Sequence, residues 1–119
     1  MTTTVSEGPI ILIGYEYRLR LGTDSALFPI GCTLIAQVRA SIGSAVLLAT
    51  LSTEAGTLIR EDDRTLEIVL GPTITSTLVA GSVVIDVVRT DLEPDRHLGF
   101  MLEIPVQQPV TRLPVSGGL

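Results

Sequence analysis

The chain has 119 residues, a single cysteine and a net charge of −5, with eight arginines scattered singly and no lysine. A domain of this length buries roughly two-thirds of its unfolded surface, so its core needs neither disulfide nor metal. A lone cysteine excludes an internal disulfide, and the lack of a basic stripe excludes the phosphate-neutralising surface of a nucleic-acid binder.

The apolar residues are Leu, Ile, Val and Ala, with two Phe, two Tyr and no Trp, so the core is expected to be aliphatic. The cysteine usage points to assembly in a cytoplasm. The opening MTTTVSEGPI has neither the basic n-region nor the apolar h-region of a secretory signal. The window 40–59 is long and apolar enough to raise a membrane span, but Gly43, Glu54 and Gly56 interrupt it and two strands explain it better. No membrane partner is expected.

In chain order, residues 1–8 are small and polar and read as a loose arm. From Ile11 to Leu21 the odd positions are apolar or aromatic while Glu16, Arg18 and Arg20 fall between them, which predicts one continuous strand with a wet face over its second half. Residues 22–31 hold Asp24, Ser25, Pro29 and Gly31 around Leu27 and Phe28, a loop expected to plug one end of the core. Cys32, Leu34, Ala36 and Val38 alternate with Thr33, Ile35, Gln37 and Arg39 as a second strand, ended by the turn at 41–44. A third strand is expected over 45–53, chosen over a helix because about nine residues between turn signals suit a strand.

After a turn at 54–56, a short strand over 57–60 and the polar EDDR at 61–64 lead to a strand at 65–70, where Leu66, Ile68 and Leu70 alternate with Glu67 and Val69. Gly71 and Pro72 end it, and 73–80 reads as a crossover with one turn of helix. Val83, Ile85 and Val87 then share one face of a strand whose other face carries Val84, Asp86 and Val88; a loop at 90–96 returns the chain into Leu98, Phe100, Leu102 and Ile104. Pro105, Pro109 and Pro114 are expected to keep the remainder of the chain out of a central sheet. The domain is thus bounded at 9–112, with a flexible tail at 113–119. Short strands at about ten-residue spacing give the fold class: all-β, a single antiparallel β-sandwich of about 6–8 strands.

Chemistry-bearing patterns are sparse. Asp91, Glu93, Asp95 and His97 alternate in the 90–97 loop but lack the glycine and distal Glu of an EF-hand, so they read as a hairpin tip. Glu61, Asp62 and Asp63 sit between Arg60 and Arg64 as an exposed, ion-paired turn. No nucleophile signature surrounds His97 or Cys32, and no phosphate-binding glycine loop occurs, so no catalytic, cofactor-binding or metal residue is assigned and no enzyme is expected. Tyr15 and Tyr17 read as core or interface packing. Asp86, alone among valines, is expected to face water or to pair with Arg89 or Arg39 at a subunit contact, because an unpaired buried carboxylate is costly.

The succession YEYRLRLG, TLIAQVRA, LEIVL, GPTITSTLVAG, SVVIDVVRTD and a final strand leaving through VTR resembles the immunoglobulin-like N-terminal domain of phage baseplate upper proteins and related small β-sandwich proteins of tailed-phage virions. The similarity covers residues 15–112. It implies an immunoglobulin-like sandwich with a non-enzymatic structural role in the virion (tail, baseplate, neck or capsid-associated), assembled in the bacterial host cytoplasm as a homo-oligomeric ring that docks other virion proteins. No coiled coil or receptor-binding domain is expected after the sandwich, and a compact adaptor, tail or head-associated subunit is expected instead. The resemblance places the subunit contact at Asp86, Arg89, Thr111 and Arg112. The alternative is a carbohydrate- or peptide-binding module using loop 90–97.

Overall fold

Period-2 alternation turns directly into burial. In β3 (Tyr17–Thr23), β4 (Leu34–Arg39) and β8 (Gly81–Arg89), the residues Leu19, Leu21, Leu34, Ala36, Val38, Val83, Ile85 and Val87 point inward, while Arg18, Arg20, Gln37 and Asp86 point outward. The computed structural model describes residues 3–5 and 10–112. The tail expected at 113–119 lies outside them, as do residues 1, 2 and 6–9 of the expected arm.

The remaining strands are β1 (Thr3–Val5), β2 (Ile11–Leu12), β5 (Ala49–Ser52), β6 (Leu58–Asp62), β7 (Thr65–Leu70) and β9 (Arg96–Gln107), and α1 (Pro72–Thr75) is the single helical turn among the described residues. They form two sheets, ordered β1-β3-β7-β6 and β2-β9-β8-β4-β5. The strand order, with the first segment divided between the sheets, is that of an immunoglobulin-like sandwich. In antibody domains a disulfide pins the strands corresponding to β3 and β8; here Leu19 and Leu21 meet Ile85 and Val87 in one aliphatic core. Phe28 is fully buried in that core and Leu27 packs against it, so the 22–31 loop does close one end of the sandwich.

Four segments differ from the sequence reading. The strand expected from Ile11 to Leu21 is two strands in different sheets: Gly14, at φ +91, sits in the turn that carries the chain across. A side chain is strained at that φ. β2 then runs parallel to β9, with Ile11 opposite Val106, and β3 runs antiparallel to β7. The third strand begins at Ala49, not 45, because β4 ends at Arg39 and its ladder opens with Val38 opposite Ala49. The Leu48 N–H still donates to the Val38 carbonyl at 2.8 Å, but residues 45–47 overshoot the end of β4. β9 continues through Pro105 to Gln107 inside the five-stranded sheet. Gln107 accepts a bond from the Ile13 N–H on the β2 side, so by alternation the nitrogen of Pro105 also faces that side, one rung before the two-residue β2 begins to pair. Finally, Thr3–Val5 of the expected arm form β1 on the edge of β3.

No described helix is long and apolar enough to cross a membrane. Within the window 40–59 the chain forms a turn, an extended run, β5 and the start of β6.

Candidate functional site

Of the acidic groups at the tip of the β8–β9 hairpin, Asp91 is anchored to its own fold. Arg89 Nε and Nη2 donate to the two carboxylate oxygens of Asp91 at 2.8 and 2.9 Å. The Thr33 N–H donates to Asp91 Oδ1 at 3.2 Å, and the Thr33 and Thr90 hydroxyls lie 2.9 Å apart. The Arg89 guanidinium, aided by that N–H, holds the Asp91 carboxyl well below its usual range, at about 2, against the opposing effect of burial. Asp91 therefore latches the hairpin to the start of β4. Among the described residues no three His, Cys, Asp or Glu groups gather as a metal site.

The EDDR turn is similarly engaged. Arg20 forms a two-pronged pair with Glu61, Arg60 pairs with Asp63 and donates from Nε to the Phe28 carbonyl at 2.7 Å, and the Arg64 N–H donates to Asp62 Oδ1. That backbone bond, the largest of several causes, lowers the Asp62 pKa. Cys32 is buried two residues before β4, and burial pushes its thiol pKa up, away from reactivity.

Asp86 takes a partner that the sequence reading did not name. Between Asp86 and Val88 the β8–β9 register shifts: Asp86 lies opposite Met101 but Val88 opposite His97, so β9 advances four residues where β8 advances two. Gly99, at φ +85, shapes this outward bulge. The bulge folds His97 back so that its Nε2 is 2.8 Å from Asp86 Oδ2. The Gly99 N–H donates to His97 Nδ1 at 2.9 Å, which fixes the neutral ring as the Nε2–H tautomer donating to Asp86. Both ring nitrogens are thus engaged within the hairpin.

The four residues expected at a subunit contact are not brought together. Arg89 is turned to Asp91 rather than Asp86. Thr111 sits near the opposite end of β9, where its carbonyl accepts from the Tyr15 hydroxyl at 2.8 Å, and Arg112 is exposed beside it. Tyr17 is buried, and its hydroxyl has no hydrogen-bond partner among the described residues.

The two outer faces differ in kind. Across β3, β7 and β6, Arg18 bridges Glu16 and Glu67, and Arg20 pairs with Glu61. The outer face of β4, β8 and β9 instead presents Ile35, Val84, Val88 and Met101, the last 50% exposed, and the neighbouring turn adds Ile42 at 72%. Asp86 lies in the middle of this face, with Arg39 on the adjacent strand. A shallow depression of about 140 Å³ between them is lined by Gln37, Arg39, Ile42, Val84, Ile85, Asp86 and Met101. It is smaller than typical small-molecule pockets of about 300–1,000 Å³. Sequence reasoning missed this face because each strand by itself shows only alternation. The signal lay in the outward positions of three strands taken together, many of them apolar where a solvated face is normally polar.

Comparison of the chain with protein-family models and with curated proteins finds no match. The candidate site accordingly stands on its geometry: a partly apolar sheet face with a carboxylate at its centre and a guanidinium beside it.

Proposed function

We propose that the chain is a non-enzymatic structural subunit of a tailed-phage virion, which self-associates and docks other virion proteins. The observation that carries this reading is the contrast between the two faces: the four-stranded sheet carries an ion-paired lattice, whereas the five-stranded sheet exposes Ile35, Val84, Val88 and Met101 in a partly apolar strip around Asp86. Such strips mark protein contacts. The strand succession that resembles phage β-sandwich proteins supplies the setting, and the immunoglobulin-like topology is compatible with it, although fold does not fix function. Loop 90–97 gives the carbohydrate or peptide alternative less support, because Asp91 and His97 already have internal partners.

The test is immunoblotting of gradient-purified particles of the phage that encodes the chain. Co-purification at a constant ratio to a major virion protein is expected. Full recovery in the soluble fraction, with none on particles, would overturn the proposal.

A further inference from the structure

We infer that the outer face of the five-stranded sheet pairs with the same face of a second copy of this chain about a two-fold axis, with Arg39 of each copy meeting Asp86 of the other. Register sets the geometry. Gln37 lies opposite Asp86 and Arg39 opposite Val84, so Arg39 and Asp86 are diagonal neighbours on adjacent strands, about 7–8 Å apart. They are opposite charges flanking the apolar positions Val84 and Met101.

Each charge keeps unused capacity for a partner. Arg39 is half-buried and donates only to neutral acceptors, the Ser44 carbonyl at 3.3 Å and Gln37 Oε1 at 3.0 Å. No carboxylate pairs with it among the described residues. Asp86 engages Oδ2 with His97, and Oδ1 has no hydrogen bond among the described residues. One patch thus carries an arginine lacking a carboxylate and a carboxylate with an open oxygen.

A plus beside a minus is self-complementary under a two-fold axis that lies in the plane of the contact and passes midway between them, at right angles to the line joining them. The operation sets Arg39 over Asp86 twice and brings Val84 and Gln37 close to the opposing copy. This is an isologous contact in which residue i meets j and j meets i. Ile35, Val88 and Met101 then supply apolar area around the paired charges, and the bidentate geometry of arginine suits an incoming carboxylate. The depression between Arg39 and Asp86 has room for an apolar side chain of the opposing copy. An isologous contact closes on itself, so a ring would need a second, different surface.

This pairing deepens the assembly reading and can fail separately from it. Sedimentation equilibrium of the purified chain should show a dimer. Val84→Glu should give a monomer with unchanged far-UV circular dichroism. Arg39→Asp and Asp86→Arg should each weaken dimerisation about ten-fold or more, while the Arg39→Asp/Asp86→Arg double variant, or an equal mixture of the two single variants, should recover it. A monomeric wild type, a dimer indifferent to Val84→Glu, or no recovery in both the double variant and the mixture would overturn the inference. A wild-type monomer that still enters particles would sink the pairing and leave the virion role standing; a dimer absent from particles would do the reverse.

Discussion

Asp91 shows how one carboxylate can be read as a ligand and yet serve as a latch. Its pKa is depressed to about 2 chiefly by Arg89, so its stabilising contribution is complete above the ordinary carboxylate pKa near 4 and fades as pH falls towards 2. Asp91→Asn should therefore lower stability at neutral pH and flatten the loss between about pH 4 and pH 2 relative to wild type, as measured by urea denaturation across that range. Tyr17 carries the opposite sign. Burial pushes its phenol up to about 12, so the folded state keeps the proton after the unfolded chain has released it and stability falls from about pH 10 to about pH 12. Tyr17→Phe removes a buried hydroxyl without a partner among the described residues, and should leave stability at pH 7 unchanged or raise it by up to about 1 kcal/mol while losing less than wild type above pH 10. Thermal melts of both proteins at pH 7, 10 and 11 check this.

At the scale of elements, the strands that could be read in the sequence are those whose alternation is enforced by the core. Leu66, Ile68 and Leu70, and Val83, Ile85 and Val87, are buried on one face because a one-residue slip would expose every one of them. What could not be read depends on a partner's length or on one backbone angle. Residues 45–47 are as apolar as a strand, but β4 stops too early to pair with them, and Val46 is 65% exposed. The alternation from Ile11 to Leu21 passes unbroken through Gly14, whose positive φ divides it between two sheets. No atom lies within 4 Å of a Cβ built on Gly14, so only the backbone conformation resists substitution. Gly14→Ala should cost about 1–2 kcal/mol in chemical denaturation, with the fold retained. The His97–Asp86 pair was hidden for a related reason, since it depends on two extra residues in β9 that no single-strand pattern reveals.

For the molecule as a whole, the two outer faces answer differently to mutation. The ion pairs on the four-stranded sheet involve half-exposed groups: the Arg18 side chain is 49% exposed and pairs with Glu16 and Glu67. Such pairs contribute little. Arg18→Ala is expected to leave both the melting temperature and the association state close to those of wild type, as calorimetry with light scattering will show. The all-arginine composition has its clearest structural counterpart in this lattice, where forked guanidinium groups reach across strands. The fold class and the aliphatic core were legible from composition and spacing. The docking face required three strands to be laid side by side.

The parallel pairing of β2 with β9 also has a mechanical consequence. The chain enters β2 at residue 10 and leaves β9 after Gln107 at the opposite end of the same ladder. Tension between these two points slides the strands past each other and loads the bonds of Ile11, Leu12 and Ile13 together, instead of peeling them apart in succession. A protein held in a stressed array from both ends would first lose the pairing of β1 with β3 and would then resist at this short seam.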